Sequence, residues 1–369
     1  MPKLYVIAGE DSGDLHGSNL LKALKQQLPE VTFRGVGGDN MQAEGMQLSA
    51  HIKDTNFMGF WEVITHLNTI RKLFARVKAD IRSWQPDAVI LIDYPGFNLR
   101  MARFVHGLGL PVVYYISPQL WAWKKGRVKK IRRYVDRMMV ILPFEQEFYA
   151  REGVEVEFVG HPLLDVIGEI SLKTAPSEQP LIALLPGSRK QEIGRMLPLM
   201  LQLIPRFPQA RFVVAGAPSQ PEAFYRQLMA GTPAGLWMNR TYELLQQADF
   251  ALVTSGTATL ETALHRVPQV VCYKGSTLSY LIGKRLIQVP YISLVNLIMG
   301  RQVVTELIQQ QVRPHLLEAE LRALMQPQAH ARLQADYAEL RQKLGQAGAS
   351  ARAARVVGEV LHSRVGARG

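Results

Sequence analysis

The chain has 369 residues, 47% hydrophobic and 20% charged, a globular composition with enough material for two cores. Its 43 lysines and arginines against 31 acids leave a formal charge of +12, which favours an anionic partner: nucleic acid, an acidic membrane surface or a phosphorylated substrate. The single cysteine, Cys272, excludes an internal disulfide, and no apolar run approaches the ~20 residues of a spanning helix or forms a signal-peptide core.

Short β-branched runs alternate with helical stretches from the first residues on. Strands are predicted at 3–8, 31–37, 88–93, 111–117 and 137–142, with helices at 18–28 and 68–84 between them. Strands that are apolar throughout and separated by helices predict a parallel sheet covered on both faces. The pattern restarts at 181–186, 210–216, 248–254 and 269–273. Between the two sets lies "SLKTAPSEQP", polar, with two prolines and no apolar period, read as the end of a linker. The expected organisation is a first Rossmann-like domain over 1–170 and a second over 171–345, with a cleft between them. Residues 346–369 follow as a C-terminal helix, and packing back onto the first domain is one arrangement open to it. The fold class is α/β.

In open parallel sheets, ligands bind beyond the carboxyl ends of strands, so the residues that follow each strand are the candidates. "AGEDSGDLHG" follows the first strand and offers Glu10, Ser12 and His16 beside bare glycine backbone. Asp93 closes "AVILID"; a carboxylate ending a buried strand is costly unless paired or used, either as a cap of the next turn or as a general base. In the second set, "PGSRKQE" brings Ser188 and Arg189, the latter a planar cation suited to a diphosphate. "SGTATLE" brings Ser255, Gly256 and Thr257 to a helix start, where unpaired N–H groups and the helix dipole suit a phosphate, with Glu261 further along to reach an attached sugar. An ordinary Ser/Thr cap explains either turn singly; two of them at sheet ends in one domain favour the anion site. Neither is a GxGxxG or a Walker A loop.

Two stretches bear on location. "FMGFWEVITHLNTIRKLFARVK", 57–78, places Phe60, Trp61, Ile64 and Leu67 on a broad apolar stripe flanked by Arg71, Lys72, Arg76 and Lys78, a pattern for a membrane interface or acyl chains as well as for a core helix. "KKGRVKKIRR", 124–133, has seven basic residues in ten, next to Trp121 and Trp123. No HExxH and no Cys/His spacing marks a metal, and the basic turns supply charge for a diphosphate, so neither a metal nor another cofactor is expected. No motif that reads DNA or RNA accompanies the positive charge, so nucleic acid is not the expected partner.

With these residues assembled, the chain resembles the lipid-A-disaccharide synthase family, through "AGEDSGDLHG", "MGFWEV", "PDAVILIDYPGFN", "YYISPQLWAW", "LPFEQEFY", "FVGHPLLD", "LLPGSR", "SGTATLE" and "YISLVNLIMGR", in family order and nearly end to end. The resemblance implies a GT-B glycosyltransferase that moves 2,3-diacylglucosamine from UDP to 2,3-diacylglucosamine 1-phosphate (lipid X), working on the cytoplasmic face of the inner membrane, whose anionic surface it contacts peripherally. It further implies roles in catalysis for Asp93, Glu10, Arg189 and Asn296, and a nucleotide site at Ser255, Gly256, Thr257 and Glu261. Two positions depart from the family motif "DAPDFN": Tyr94 replaces its alanine, and Gly96 its second aspartate. Oligomeric state is not fixed by any of these features.

Overall fold

The computed structural model describes residues 1–54, 67–122, 125–168, 177–275 and 289–366. The chain divides into two units, Met1–Asp165 with Gln346–Gly369, and Val166–Gly345. Each is built on its own parallel sheet.

The first unit carries seven strands: β1 Lys3–Ile7, β2 Thr32–Gly37, β3 Gln47–His51, β4 Ala88–Ile92, β5 Val112–Tyr115, β6 Arg137–Val140 and β7 Glu157–Phe158. Their order is β3-β2-β1-β4-β5-β6-β7, all parallel. The second unit carries β8 Leu181–Leu185, β9 Arg211–Gly216, β10 Gly235–Met238, β11 Phe250–Thr254, β12 Gln269–Tyr273 and β13 Thr305–Ile308, in the order β10-β9-β8-β11-β12-β13, again all parallel. The central strands β4 and β11 are buried at every residue, as the continuous runs "AVILI" and "FALVT" require with helices on both faces. Four strands escaped the sequence pattern, β3, β7, β10 and β13, and all four lie at sheet edges, where burial is incomplete and the apolar run is interrupted.

The last helix, Ala349–Gly366, belongs to the first unit and packs along the helix Asp11–Gln27. Asp165 caps it, accepting from the N–H groups of Gly348 (2.5 Å), Ala349 (3.1 Å) and Ser350 (2.9 Å). Among the described residues, no helix is long and apolar enough to cross a membrane.

In each sheet the strand order reverses once, between β1 and β4 and between β8 and β11. At such a point successive connections leave to opposite faces and open a crevice beyond the strand ends. Those four strands lead into Glu10, Asp93, Ser188–Arg189 and Ser255–Thr257.

Candidate active site

In the first unit, the opening stretch is not a loop. Glu10 is the N-cap of a helix that starts at Asp11, so Ser12 stands exposed in the first turn while Gly13 and Gly17 are buried on the inner side. A Cβ on Gly13 would lie 3.3 Å from the Ala8 Cβ, and one on Gly17 would lie 2.7 Å from the Met41 Sδ, so both glycines serve helix packing. Asp14 is 2% exposed and caps the next helix, accepting from the N–H groups of Gly38 (2.6 Å), Asn40 (3.0 Å) and Met41 (3.1 Å). His16 departs from the expected ligand contact: it is buried, its Nδ1 has no partner among the described residues, and burial lowers its pKa to about 4. His161 is buried close enough to feel it, and is lowered to about 3 by burial first and by His16 second. Both rings are neutral parts of the interior.

Asp93 occupies an unusual backbone position. Asp93 and Tyr94 have φ of 42° and 47°, two consecutive left-handed residues without glycine, each costing about 1–3 kcal/mol. The turn is held from below. The fully buried Asn98 donates from Nδ2 to the carbonyls of Ile92 (3.1 Å) and Asp93 (2.8 Å), and the Tyr114 hydroxyl donates to the Asp93 carbonyl at 2.5 Å. Tyr94 lies over Gly9 so closely that a Cβ there would sit 2.3 Å from its ring, so only glycine admits the stack. Burial, and then the negative charge of Glu10, push the Asp93 carboxyl up to about 7, with Glu145 adding to the rise. Glu145 is itself buried and raised to about 7 by burial, although it accepts from the N–H groups of Leu142 (2.9 Å) and Ile141 (3.2 Å) and from Trp121 Nε1 (3.2 Å). A carboxyl that titrates near neutrality at the end of a central strand is equipped to take a proton from a sugar hydroxyl. Asn98, Tyr114 and Glu145 were not singled out from sequence, although all three lie inside quoted motifs.

Gly96, where the family motif has its second acid, is exposed in the first turn of the helix Pro95–His106, and a Cβ there meets nothing within 4 Å. Gly96→Asp is therefore expected to fold and to gain about 0.5–1 kcal/mol from helix propensity and the N-terminal dipole. Thermal unfolding checks this; a lower melting temperature contradicts it.

In the second unit the two turns adjoin, since a Cβ on Gly187 would lie 3.6 Å from Thr254 Cγ2. Ser188 is exposed, and its carbonyl accepts from Ser219 Oγ (2.8 Å) and Gln220 Nε2 (3.4 Å). Arg189 is the N-cap of the helix Lys190–Leu201, its side chain 57% exposed, and among the described residues its guanidinium pairs only with Glu192, at 3.4 Å. At the other turn, Gly256 caps the helix Thr257–Leu264 at φ 158°, ψ −163°, a region that glycine alone enters readily. The N–H groups of Gly256, Thr257 and Ala258 carry no partner among the described residues. Ser255 differs from expectation: its N–H donates to the Cys272 carbonyl (2.9 Å) and its hydroxyl to the Ile292 carbonyl (2.9 Å), so it anchors the turn rather than offering donors. Glu261 accepts from the Tyr242 hydroxyl at 3.1 Å, and burial raises its pKa. The unit thus presents a cation and three backbone donors to an anion.

Asn296 is fully buried, and every hydrogen-bonding position of its amide is used inside the fold. Its oxygen accepts from the N–H groups of Val303 (2.7 Å) and Val304 (3.0 Å); its nitrogen donates to the Val304 carbonyl (2.9 Å) and to Glu306 Oε1 (2.8 Å). No valence is left for a substrate, which corrects the expectation of a direct catalytic contact. Phe60, Trp61 and Ile64 lie outside the described residues, as does the side chain of Leu67, whose backbone opens the helix Leu67–Trp84. Trp123 and Lys124 also lie outside them. No group of acids, histidines and cysteine placed to hold a metal occurs among the described residues.

A profile of the Lipid-A-disaccharide synthetase family matches residues 4–360. The chain belongs to the lipid-A-disaccharide synthase family. A lipid-A-disaccharide synthase of Syntrophus aciditrophicus is 44% identical over 366 residues, covering 95% of this chain and 96% of that one. Another, of Myxococcus xanthus, is 39% identical and covers 98% of both. Among solved structures, the calicheamicin glycosyltransferase CalG4 superposes with a TM-score of 0.63 at 14% identity, over 98% of both chains. The UDP-GlcNAc 2-epimerase of Neisseria meningitidis, bound to UDP-GlcNAc, superposes with a TM-score of 0.58 at 11% identity, over 98% of this chain and all of the other. Fold alone therefore groups transferases with epimerases, and the chain's sequence family separates them. The fold is GT-B, two Rossmann-like halves with parallel sheets. The members of this family are glycosyltransferases of lipid A biosynthesis.

Proposed function

We propose that this chain transfers 2,3-diacylglucosamine from UDP to the 6-hydroxyl of lipid X, with inversion at the anomeric carbon. Family membership over residues 4–360 supports the reaction. The observation that carries the mechanism is Asp93, raised to about 7 at the strand-order reversal of the first sheet. Asp93 accepts the proton of the acceptor hydroxyl as its oxygen bonds to C1. The C1–O bond to the diphosphate breaks, and UDP leaves with the electron pair. Arg189 and the N–H groups of Gly256, Thr257 and Ala258 stabilise the charge that grows on it. Glu10 faces the same acceptor sugar, and Glu261 the ribose of the nucleotide. Ser12 and Ser188, both exposed at their helix starts, are positioned for hydroxyl contacts. The residues supply a base and a cationic site, so the reaction as written needs no metal.

Purified protein given UDP-diacylglucosamine and lipid X, with and without EDTA, is expected to form the disaccharide 1-phosphate and UDP in both cases, read by mass. Conversion of the UDP-sugar without acceptor would indicate an epimerase; binding of lipid X without UDP release would indicate a carrier.

A peripheral position at the cytoplasmic face of the inner membrane belongs to the same proposal. The helices Leu67–Trp84, Pro95–His106 and Val128–Tyr134 enclose a surface groove of about 570 Å³. Phe74, Leu99, Phe104, Leu108 and Tyr134 line it with five cations, Lys78, Arg82, Arg100, Arg103 and Lys130, and with no carboxylate. None of the five pairs with an acid among the described residues; Lys78 and Arg82 instead lie over the Phe104 ring. Cations near an anionic surface contribute about 1 kcal/mol each. The triple variant Arg82→Glu, Arg103→Glu, Lys130→Glu is expected to lose binding to phosphatidylglycerol vesicles at least a hundredfold while still binding UDP. Sedimentation with phosphatidylglycerol and phosphatidylcholine vesicles tests it, and retention by anionic vesicles would contradict it.

A further inference from the structure

Beyond the residues already assigned, the second unit contains a polar network that ends on the anion-binding turn. Glu306, on the edge strand β13, accepts four hydrogen bonds: from Ile292 N–H (2.9 Å), Ser293 N–H (3.0 Å), Ser293 Oγ (2.7 Å) and Asn296 Nδ2 (2.8 Å). A carboxylate is the side chain that accepts without donating, so it alone satisfies all four donors. These bonds hold Ile292 and Ser293, and the carbonyl of Ile292 receives the Ser255 hydroxyl at 2.9 Å. Ser255 is also bound to Cys272 on the other side, so the turn that exposes the N–H groups of Gly256, Thr257 and Ala258 is fastened at two points.

We infer that Glu306 is a positioning residue of the nucleotide site, acting through Ser293, Asn296 and Ile292 on Ser255 to hold three backbone donors aimed at a diphosphate. It gives Asn296 a role that needs no contact with substrate: with its amide consumed inside the fold, it completes the seat of Glu306. Glu306 is a half-buried acid whose negative charge is spread over four donors. The inference rests on the proposed binding of UDP at this turn.

The test is UDP affinity by calorimetry, with melting temperatures, for the wild type, Glu306→Gln, Ser255→Ala and the double variant. An amide at 306 sets an NH2 group against N–H donors and releases the segment. Glu306→Gln and Ser255→Ala are each expected to weaken UDP about tenfold, and the double variant no more than about twentyfold, because both break one chain of contacts. Combined with Arg189→Ala, which acts on the ligand directly, Glu306→Gln should instead multiply its effect. A merely structural acid would lower the melting temperature without this pattern of coupling. Should Glu306→Gln not fold, Ser293→Ala removes one of the four bonds to Glu306, together with the cap bond from the Asn296 N–H, and is expected to weaken UDP about threefold, again without adding to Ser255→Ala. Wild-type affinity in Glu306→Gln, or a multiplicative loss in the double variant with Ser255→Ala, overturns the inference while leaving the nucleotide site standing. Failure of the wild type to bind UDP overturns both.

Discussion

Asp93→Asn is expected to cut turnover a hundredfold or more and, at pH 8, to raise the melting temperature. The two effects share a cause. Burial and the charge of Glu10 raise the carboxyl from 3.8 to about 7. The unfolded chain loses this proton near pH 4, and the folded chain keeps it until about 7. Folded protein therefore binds more protons in that window, and stability falls as pH rises from about 4 to 7, then stays level. A gap of three units corresponds to ~4 kcal/mol at most; because the side chain is partly exposed, a gain of about 1–2 kcal/mol, a few degrees, is the expected benefit of a neutral residue above pH 7. The same raised value makes the carboxylate a stronger base. The acid limb of kcat/KM in the wild type should bend near pH 7 and fall tenfold per unit below it. UDP release measured from pH 5 to 9, with scanning calorimetry at pH 5 and pH 8, separates these outcomes. Near-normal turnover in the variant, or a limb that survives the substitution, would refute the role of general base.

Arg189→Ala is expected to lower kcat/KM by two to three orders of magnitude and to leave both the melting temperature and the pH limb in place. The guanidinium is 57% exposed, and its one ion pair among the described residues, to Glu192 at 3.4 Å, is an exposed one that contributes under ~1 kcal/mol. The fold therefore loses little with it. The reaction loses a planar cation at the place where a departing diphosphate gathers charge, a loss of the size seen when one such donor is removed. Arg189→Lys restores the charge but not the two-pronged geometry, and should recover only part of the rate. Saturation kinetics with the UDP-sugar, together with thermal unfolding, test the pair of variants. An unchanged rate in Arg189→Ala would remove the arginine from the site. The contrast is diagnostic: Asp93 couples rate to pH and stability because its carboxyl is desolvated and faces the charge of Glu10, and Arg189 affects rate alone because its guanidinium is exposed.

Much of this was legible in the residues themselves. Continuous apolar runs such as "AVILI" and "FALVT" determined the central strands, because a strand buried on both faces has no polar position to spare. Motif order determined the family. The chemistry of the strand ends, acids after β1 and β4 and an arginine with small residues after β8 and β11, is what the proposal of a sugar hydroxyl at one half and a diphosphate at the other starts from. Tertiary structure decided what depends on partners distant in sequence. Strand order placed those four ends at the two reversal points, which no local pattern encodes. The half-exposed edge strands emerged only from pairing, since they are short and only partly buried, so no long apolar run marks them. Packing also sorted residues that look equivalent on paper: Asp14 became a cap and Asp93 a raised acid, His16 sank into the interior, and Asn296 spent its amide on Glu306. Side-chain chemistry is written residue by residue, but its use depends on burial and on which donors come within 3 Å, and both are properties of the folded chain.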